Sequence, residues 1–401
     1  MISSSFLNIF VISGINRDME KGFFKRILLP ACICVCLAGV VCGDLGSHID
    51  GIVGRKSNSK VAFGVKVIEA SGGRVVYARN AGRGMIPASN MKVVVSAAAL
   101  KYLGAGYEFT TKVGLIDNTL VVIGGGDPLL GDEATDKKYY RKKDWVVDDI
   151  VDILKQHNVK FIDEIVIDST FFDNNRVHPN WPKDQLNKPY ACEVSGVNYN
   201  ENCVRITVKR VNSRAVVKVE PESDFIKIIN KVKLTSKGNS AVGAYRNSVA
   251  NKLMVSGKCR KEAGFDVAIE GPAAFFGFVL SKKLQSGGIS AKKLTEKHVK
   301  SNKKIKILRV YKTPVADVLS RCNKDSFGLA AEVLVKTISA ENTGGRINGE
   351  WRHGLNLVSR YMVGLGVDAG EFHLDDASGL SRENRLSPNA ISTVVLDIYS
   401  S

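Results

Sequence analysis

Two alternating segments followed by one apolar run constrain this chain more than anything else in it. "KVAFGVKVIEA" (60–70) and "RVVYARN" (74–80) alternate in polarity, are rich in β-branched residues and are joined by "SGG". A period of two broken by glycines predicts an antiparallel hairpin. "PASNMKVVVSAAAL" (87–100) follows. Pro87 suits a helix start, Val93 to Leu103 supply apolar bulk, and Gly104 stops the run. This predicts a core helix directly after the hairpin. The 401 residues suffice for two or three domains, each with its own core.

Downstream, "FTTKVGLI" and "TLVVIGGGDP" read as short strands. The glycines 124–126 resemble a phosphate cradle only in part. Asp127-Pro128 blocks direct passage into a helix and no lysine follows, so a turn is the better reading. "DWVVDDIVDILKQHNV" has helical periodicity and leads to the strand "DEIVID". From "GVNYNENCVRITVKR" to about Ile269 the pattern is mostly short strands. Helices follow at 272–289, in two pieces at 314–338, and in "GEWRHGLNLVSRYMVGLG". No internal repeat is visible. Helix-bearing segments at either end of a strand-rich middle predict a mixed α/β (α+β) domain interrupted by a large strand-rich insertion.

Lys and Arg number 57 against 40 Asp and Glu, a formal charge of +17. Such a surface favours an anionic partner. No zinc-finger spacing or aromatic–basic RNA motif appears, which argues against nucleic acid and for an acidic cell-wall polymer. The densest basic run, "KKLTEKHVKSNKKIK" (292–306), reads as a solvated face. Near the N-terminus, "EKGFFKR" is followed by an apolar stretch from Ile27 to Cys42. It is short for a spanning helix and fits a signal peptide starting at Met1 or Met19 and cleaved near Gly43. "GVVC" is a poor lipoprotein box, and an uncleaved anchor is the other reading. Four of the eight cysteines lie in this leader. The remaining four lack metal-site spacing. In an exported chain Cys192 and Cys203 are candidates for a disulfide, with isolated buried thiols as the alternative.

Serine needs a base to become a nucleophile. Residues i and i+3 share a helical face, so Lys92 is in reach of Ser89. A lysine works as a base only if its surroundings lower its pKa. The spacing alone is weak: Ser57/Lys60, Ser290/Lys293 and Ser301/Lys304 repeat it. Only Ser89 combines a preceding hairpin, a proline start and an apolar helix body. Ser89 as a plain N-cap remains open at this point.

"YARNAGRGMIPASNMK" (77–92) resembles the active-site segment of the D-alanyl-D-alanine carboxypeptidase/endopeptidase family of penicillin-binding proteins. The likeness continues through "GGGDP", "NWPKDQLNKPYACEVSGVNYNEN", "DSFGLAAEVLVK" and "DDASGLSRENR", in family order over most of residues 60–390. The resemblance implies Ser89 as nucleophile, Lys92 as its general base and Ser326 as a proton relay toward the leaving amine. It implies Asp184, in "WPKD", as an acidic residue beside the substrate. The expected domains are a signal peptide at 1–43, a peptidase domain at 44–105 with 271–401, and an insertion at 106–270.

Two departures stand out. The second motif is normally S-x-N, and Gly328 occupies the asparagine position. The only literal S-x-N, Ser387-Pro388-Asn389, has the wrong context. The third motif, K-T-G, is absent, and "YKTP" (311–314) precedes the second motif. The expectation is therefore a truncated or degenerate homologue, because that strand would supply a cation for the substrate carboxylate and an oxyanion-hole N–H. The implied function is an exported serine peptidase of the periplasm or cell envelope. It would cleave peptidoglycan stem peptides through an acyl-enzyme and be inhibited by β-lactams, with no cofactor and no metal. A non-catalytic wall-binding homologue is the alternative. A compact β-lactamase or esterase fits the long interval between Ser89 and Ser326 poorly. "FHLDD" (372–376) reads as a loop rather than a ligand set. N-terminal sequencing of exported protein is expected to start near Gly43; a start at Met1 or Met19 would mean an anchor.

Overall fold

The computed structural model describes residues 7–14, 42–300 and 304–400. They fall into two compact units, Met1–Ala98 with Val358–Ser401, and Ala99–Leu357. Of the signal peptide expected at 1–43, residues 7–14 and 42–43 are described, and the rest, with the apolar stretch from Ile27 up to Cys42, lies outside the described residues.

The first unit begins with β1 (Leu7–Gly14), α1 (Cys42–Val53), β2 (Ala62–Glu69) and β3 (Val75–Arg79). The expected hairpin is present: β2 and β3 pair antiparallel, and β1 pairs antiparallel on the other side of β2. Val65, Val67 and Ile68 of β2 are buried. Next comes α2 (Met91–Leu103), in which Met91, Val94, Val95, Ala98 and Ala99 are fully buried. Its small and β-branched side chains leave no polar stripe, so the helix is a core element.

The second unit contains β4 (Glu108–Ile116), β5 (Thr119–Gly124), α3 (Glu133–Lys138), α4 (Trp145–Gln156) and β6 (Phe161–Asp168). Six short strands follow: β7 (Cys203–Val211), β8 (Arg214–Glu220), β9 (Lys227–Leu234), β10 (Ala241–Arg246), β11 (Lys252–Cys259) and β12 (Glu262–Ala268). They form two three-stranded sheets, β12-β7-β8 and β10-β11-β9. After them come α5 (Pro272–Ser286), β13 (Ser290–Glu296), β14 (Lys306–Pro314), α6 (Val315–Lys324), α7 (Gly328–Glu341) and α8 (Trp351–Gly364).

One five-stranded sheet, ordered β13-β6-β5-β4-β14, organises this unit. It takes strands from both sides of residue 270, so a boundary there falls inside one sheet. β6 pairs parallel with both β13 and β5, while β4 is antiparallel to β5 and β14. Phe275, Phe276 and Leu280 of α5 join Ile150 and Leu154 of α4 and Ile165 and Ile167 of β6 in one continuous core. Each such side chain contributes roughly 1.5–3 kcal/mol of burial. Gly277 allows the close approach of α5 to the sheet: a Cβ there would lie 2.5 Å from Leu294 Cδ1. Of the basic run at 292–306, residues 292–296 lie on the edge strand β13 and Lys306 begins β14. The run's lysines are partly spoken for, with Lys292 reaching Asp163 and Lys293 and Lys297 reaching Glu164 of β6. A charged edge of this kind resists further strand pairing.

The chain returns to the first unit at Val358, within α8, and continues through β15 (Phe372–His373), β16 (Arg385–Leu386) and α9 (Pro388–Ser400). Ser387-Pro388-Asn389, the literal S-x-N, starts α9. Ser387 Oγ accepts the Ala390 N–H at 2.8 Å, and the Asn389 amide binds the Glu371 carboxylate. Cys192 and Cys203, candidates for a disulfide, are both free thiols, the isolated buried arrangement that was the alternative. Each fills a core position, Cys192 after a 3-10 turn and Cys203 at the start of β7, and burial pushes both thiols up in pKa.

Gly124 ends β5, and Gly125 and Gly126 lead from it to a turn at 128–131 rather than into a helix, with Asp127 locking the entry. Its carboxylate accepts the Leu129 N–H at 2.9 Å and the Thr313 hydroxyl at 2.6 Å, tying the end of β5 to β14. Burial pushes the Asp127 carboxyl up to about 6, against the lowering effect of those two bonds. The folded chain therefore holds this proton more tightly than the unfolded one. The associated stability is complete below about pH 4 and is lost as pH rises through about 6. The shift of roughly two units corresponds to about 3 kcal/mol at most. Asp127→Asn mimics the protonated acid. Urea melts are expected to show the variant about 1–3 kcal/mol more stable than wild type at pH 7, with the gain vanishing near pH 4.

Candidate active site

Ser89 lies in a 3-10 turn, Ala88–Asn90, that runs without a break into α2 at Met91. Pro87 precedes the turn with φ −80°, and Ala88 takes φ +46°. The turn leaves Ser89 exposed, while Lys92, one turn on, is 4% exposed. The shared helical face brings Lys92 Nζ to 3.5 Å from Ser89 Oγ. That is the outer limit of a hydrogen bond. Lys92 Nζ also donates to the carbonyl oxygen of Ser378 at 2.7 Å. Ser378 belongs to the "DDASGLSRENR" segment, nearly three hundred positions away in sequence but in the same unit. The arrangement offers a hydroxyl at the surface and an amine beneath it, which suits transfer of the serine proton to lysine.

Ser326 lies between α6 and α7 in the second unit, exposed, with φ +55°. A left-handed non-glycine residue costs roughly 1–3 kcal/mol and persists only where its surroundings hold it. Arg321 does the holding. Its guanidinium donates to Asp132 at 2.7 and 3.1 Å, to Asp325 at 2.7 Å and to Glu201 at 3.2 Å. It also lies 5.1 Å from the centre of the Phe327 ring, and its backbone carbonyl accepts the Phe327 N–H at 3.2 Å. Residues on both sides of Ser326 are thus fixed by one side chain. Burial and the neighbouring Asp132 push the Glu201 carboxyl up. Although burial acts the other way, hydrogen bonds to Glu201 and Arg321 hold Asp132 low.

Gly328 is the first residue of α7 and is buried. Asp184 is exposed on a 3-10 turn, Lys183–Gln185. Of the five residues singled out from the sequence, the structure brings Ser89 and Lys92 together in one unit. Ser326, Gly328 and Asp184 belong to the other. Arg321 and the Ser378 carbonyl carry no motif signal, the first because it acts through long-range carboxylates, the second because it is backbone. Asp375 and Asp376 of "FHLDD" sit in a turn. Asp376 turns both oxygens onto N–H groups of its own loop. No group of three His, Cys, Asp or Glu side chains among the described residues is placed to hold a metal.

A family model, the D-Ala-D-Ala carboxypeptidase 3 (S13) family, matches residues 47–401. The chain is 26% identical over 372 residues to a D-alanyl-D-alanine carboxypeptidase of Actinomadura sp. (strain R39), covering 87% of this chain and 66% of that protein. It therefore spans about two thirds of the length of that curated relative. Penicillin-binding protein 4 from Haemophilus influenzae superposes with a TM-score of 0.69 at 20% identity, over 84% of this chain and 75% of that one. A second structure of the Haemophilus protein, complexed with a β-lactam, gives 0.63 at 21% identity, over 84% and 74%. The mixed α/β fold expected from the sequence is the fold of these structures. The site built around Ser89 and Lys92 is carried by a chain that belongs to the D-Ala-D-Ala carboxypeptidase 3 (S13) family.

Proposed function

We propose that this chain is a serine D-alanyl-D-alanine carboxypeptidase/endopeptidase that cleaves peptidoglycan stem peptides through an acyl-enzyme on Ser89. The observation that carries the reading is the Ser89 Oγ–Lys92 Nζ approach of 3.5 Å at the head of a core helix, in a chain of this family. Lys92 accepts the proton of Ser89 as its oxygen attacks the carbonyl between the two D-alanines. The tetrahedral intermediate collapses as the C–N bond breaks. The proton held by Lys92 is relayed through the Ser326 hydroxyl to the departing amine, giving free D-alanine or, in the endopeptidase reaction, a released cross-linking peptide. Water then attacks the ester carbonyl and gives a proton to Lys92, which returns it to Ser89 as the C–O bond breaks and the peptide carboxylate leaves.

Asp184, on its exposed turn, is assigned to contact the substrate. Gly328 has no side chain to hold the substrate amide, so backbone groups near the head of α7 take that task. The shared five-stranded sheet supports extending the inserted region from about 106 past 270 to about residue 314. The peptidase part is then 44–105 with the remainder to 401. β-Lactams are the expected inhibitors, as in the Haemophilus complex. The basic, apolar leader supports export to the periplasm or cell envelope. Among the described residues no helix is long and apolar enough to cross a membrane.

Gly328 favours one competing reading, a wall-binding protein on the same scaffold that does not acylate. Fluorescent penicillin separates the two. Covalent label is expected on Ser89, located by peptide mass. Ser89→Ala should abolish it, and Lys92→Ala should slow it by about 10²–10⁴-fold through loss of the base. Gly328→Asn should raise labelling up to about tenfold, the worth of one added hydrogen bond. A folded wild-type chain that takes no label at Ser89 would leave the binding reading as the better one.

A further inference from the structure

The loop that supplies the Ser378 carbonyl is built around a carboxylate with no exposure at all. Asp376 Oδ1 accepts the Gly379 N–H at 2.8 Å and the Asn384 amide at 2.7 Å. Its Oδ2 accepts the Ser381 N–H at 2.7 Å. Asn384, also fully buried, returns its carbonyl oxygen to the Asp375 N–H at 2.7 Å and the Asp376 N–H at 3.3 Å. Its amide also donates to the Ser381 carbonyl at 3.2 Å. These bonds close residues 375–384 into one turn.

That turn is clamped to the Ser89 segment at three successive points. Met85 and Leu386 exchange backbone hydrogen bonds at 3.0 and 2.9 Å. Gly379, at φ +81°, lies so close to Ala88 that a Cβ would stand 1.8 Å from the Ala88 carbonyl oxygen. Lys92 Nζ donates to the Ser378 carbonyl at 2.7 Å. The residue before the nucleophile and the amine beside it thus rest on the same turn.

A lysine side chain has four rotatable bonds and, when buried, needs a fixed partner to hold one rotamer. A carbonyl can accept from both the ammonium and the neutral amine, so this contact survives proton transfer and keeps the nitrogen lone pair near Ser89. The Asp376 carboxylate sets where that carbonyl stands. We infer that Asp376, braced by Asn384, is a positioning residue for the general base: it fixes the 376–381 turn whose Ser378 carbonyl seats Lys92 against Ser89. It acts through that carbonyl. The inference rests on the acylation chemistry proposed above.

Asp376→Asn tests it with little change of volume. An amide has one acceptor oxygen, so at least one of the three donors now facing Asp376 meets an NH₂ group, and the turn must shift. Displacements of about 1 Å at a reacting group cost up to about 10²-fold. Stopped-flow acylation of the full chain by fluorescent penicillin gives the non-covalent Kd and the acylation rate constant separately, between pH 6 and 10. The variant is expected to acylate about 10–100-fold more slowly, with Kd within twofold of wild type and the midpoint of the pH–rate curve displaced by at least half a unit. A folded Asp376→Asn protein with wild-type rate and midpoint, or with a loss confined to Kd, overturns the inference. If urea melts show that this variant does not fold, Asn384→Ala takes its place under the same readouts, with an expected loss of about three- to tenfold and the same overturning result. If the wild-type chain itself does not acylate, the proposed function fails on its own. The Lys92 side chain is then titrated by NMR in ¹⁵N-lysine-labelled wild type and Asp376→Asn: a displaced midpoint supports the positioning role, and an unchanged one overturns it.

Discussion

A buried amine has to be held by something, and Lys92 is held by a backbone carbonyl. Around that 2.7 Å contact the first unit is organised. The apolar body of α2 anchors the lysine from one side. From the other, the turn at 375–384 brings up its acceptor and also packs against Ala88. The turn cannot drift, because Asp376 and Asn384 consume most of its polar groups internally. The same segment continues into the Met85–Leu386 bridge and then into α9, whose first turn is capped by Ser387. Local strain at Ala88, with φ +46°, is maintained by this closure rather than by the residue's own preference.

In the second unit an equivalent burden falls on Arg321. Its guanidinium, planar and five-fold in donors, spans carboxylates on α6, near α3 and near β7, which a lysine ammonium cannot do with the same geometry. Burial first, and then the neighbouring Asp132, push the Glu201 carboxyl up, so that it holds its proton more tightly. The product of this network is a single left-handed serine, Ser326, ahead of a helix buried along nearly its whole length. Motif residues in this chain are therefore presented by turns whose conformations are set elsewhere.

Departures from the family pattern gain meaning from the structure. Ser387-Pro388-Asn389 matches S-x-N letter by letter, yet its serine caps a helix and its asparagine binds Glu371. Gly328 stands where the motif has asparagine, and it is buried at the start of α7. A pattern of letters identifies chemistry only when the backbone delivers those side chains to a shared space.

What the sequence by itself determined is what neighbours along the chain decide. The β2–β3 hairpin, α2, the helices of 272–286 and 351–364, and the break after β5 were legible because periodicity, glycine and proline act within a few residues. The Ser89–Lys92 approach was legible for the same reason: two residues three apart share one helix face. The tertiary structure alone decided the rest. The pairing of β6 with β13 across residue 270, the two thiols at 192 and 203 left unjoined, the carboxylates gathered on Arg321 and the carbonyl of Ser378 on Lys92 all join residues tens to hundreds of positions apart or, for the thiols, keep near ones separate. Such contacts are selected by the burial and hydrogen-bond satisfaction of the whole core, and a backbone carbonyl leaves no letter in a sequence.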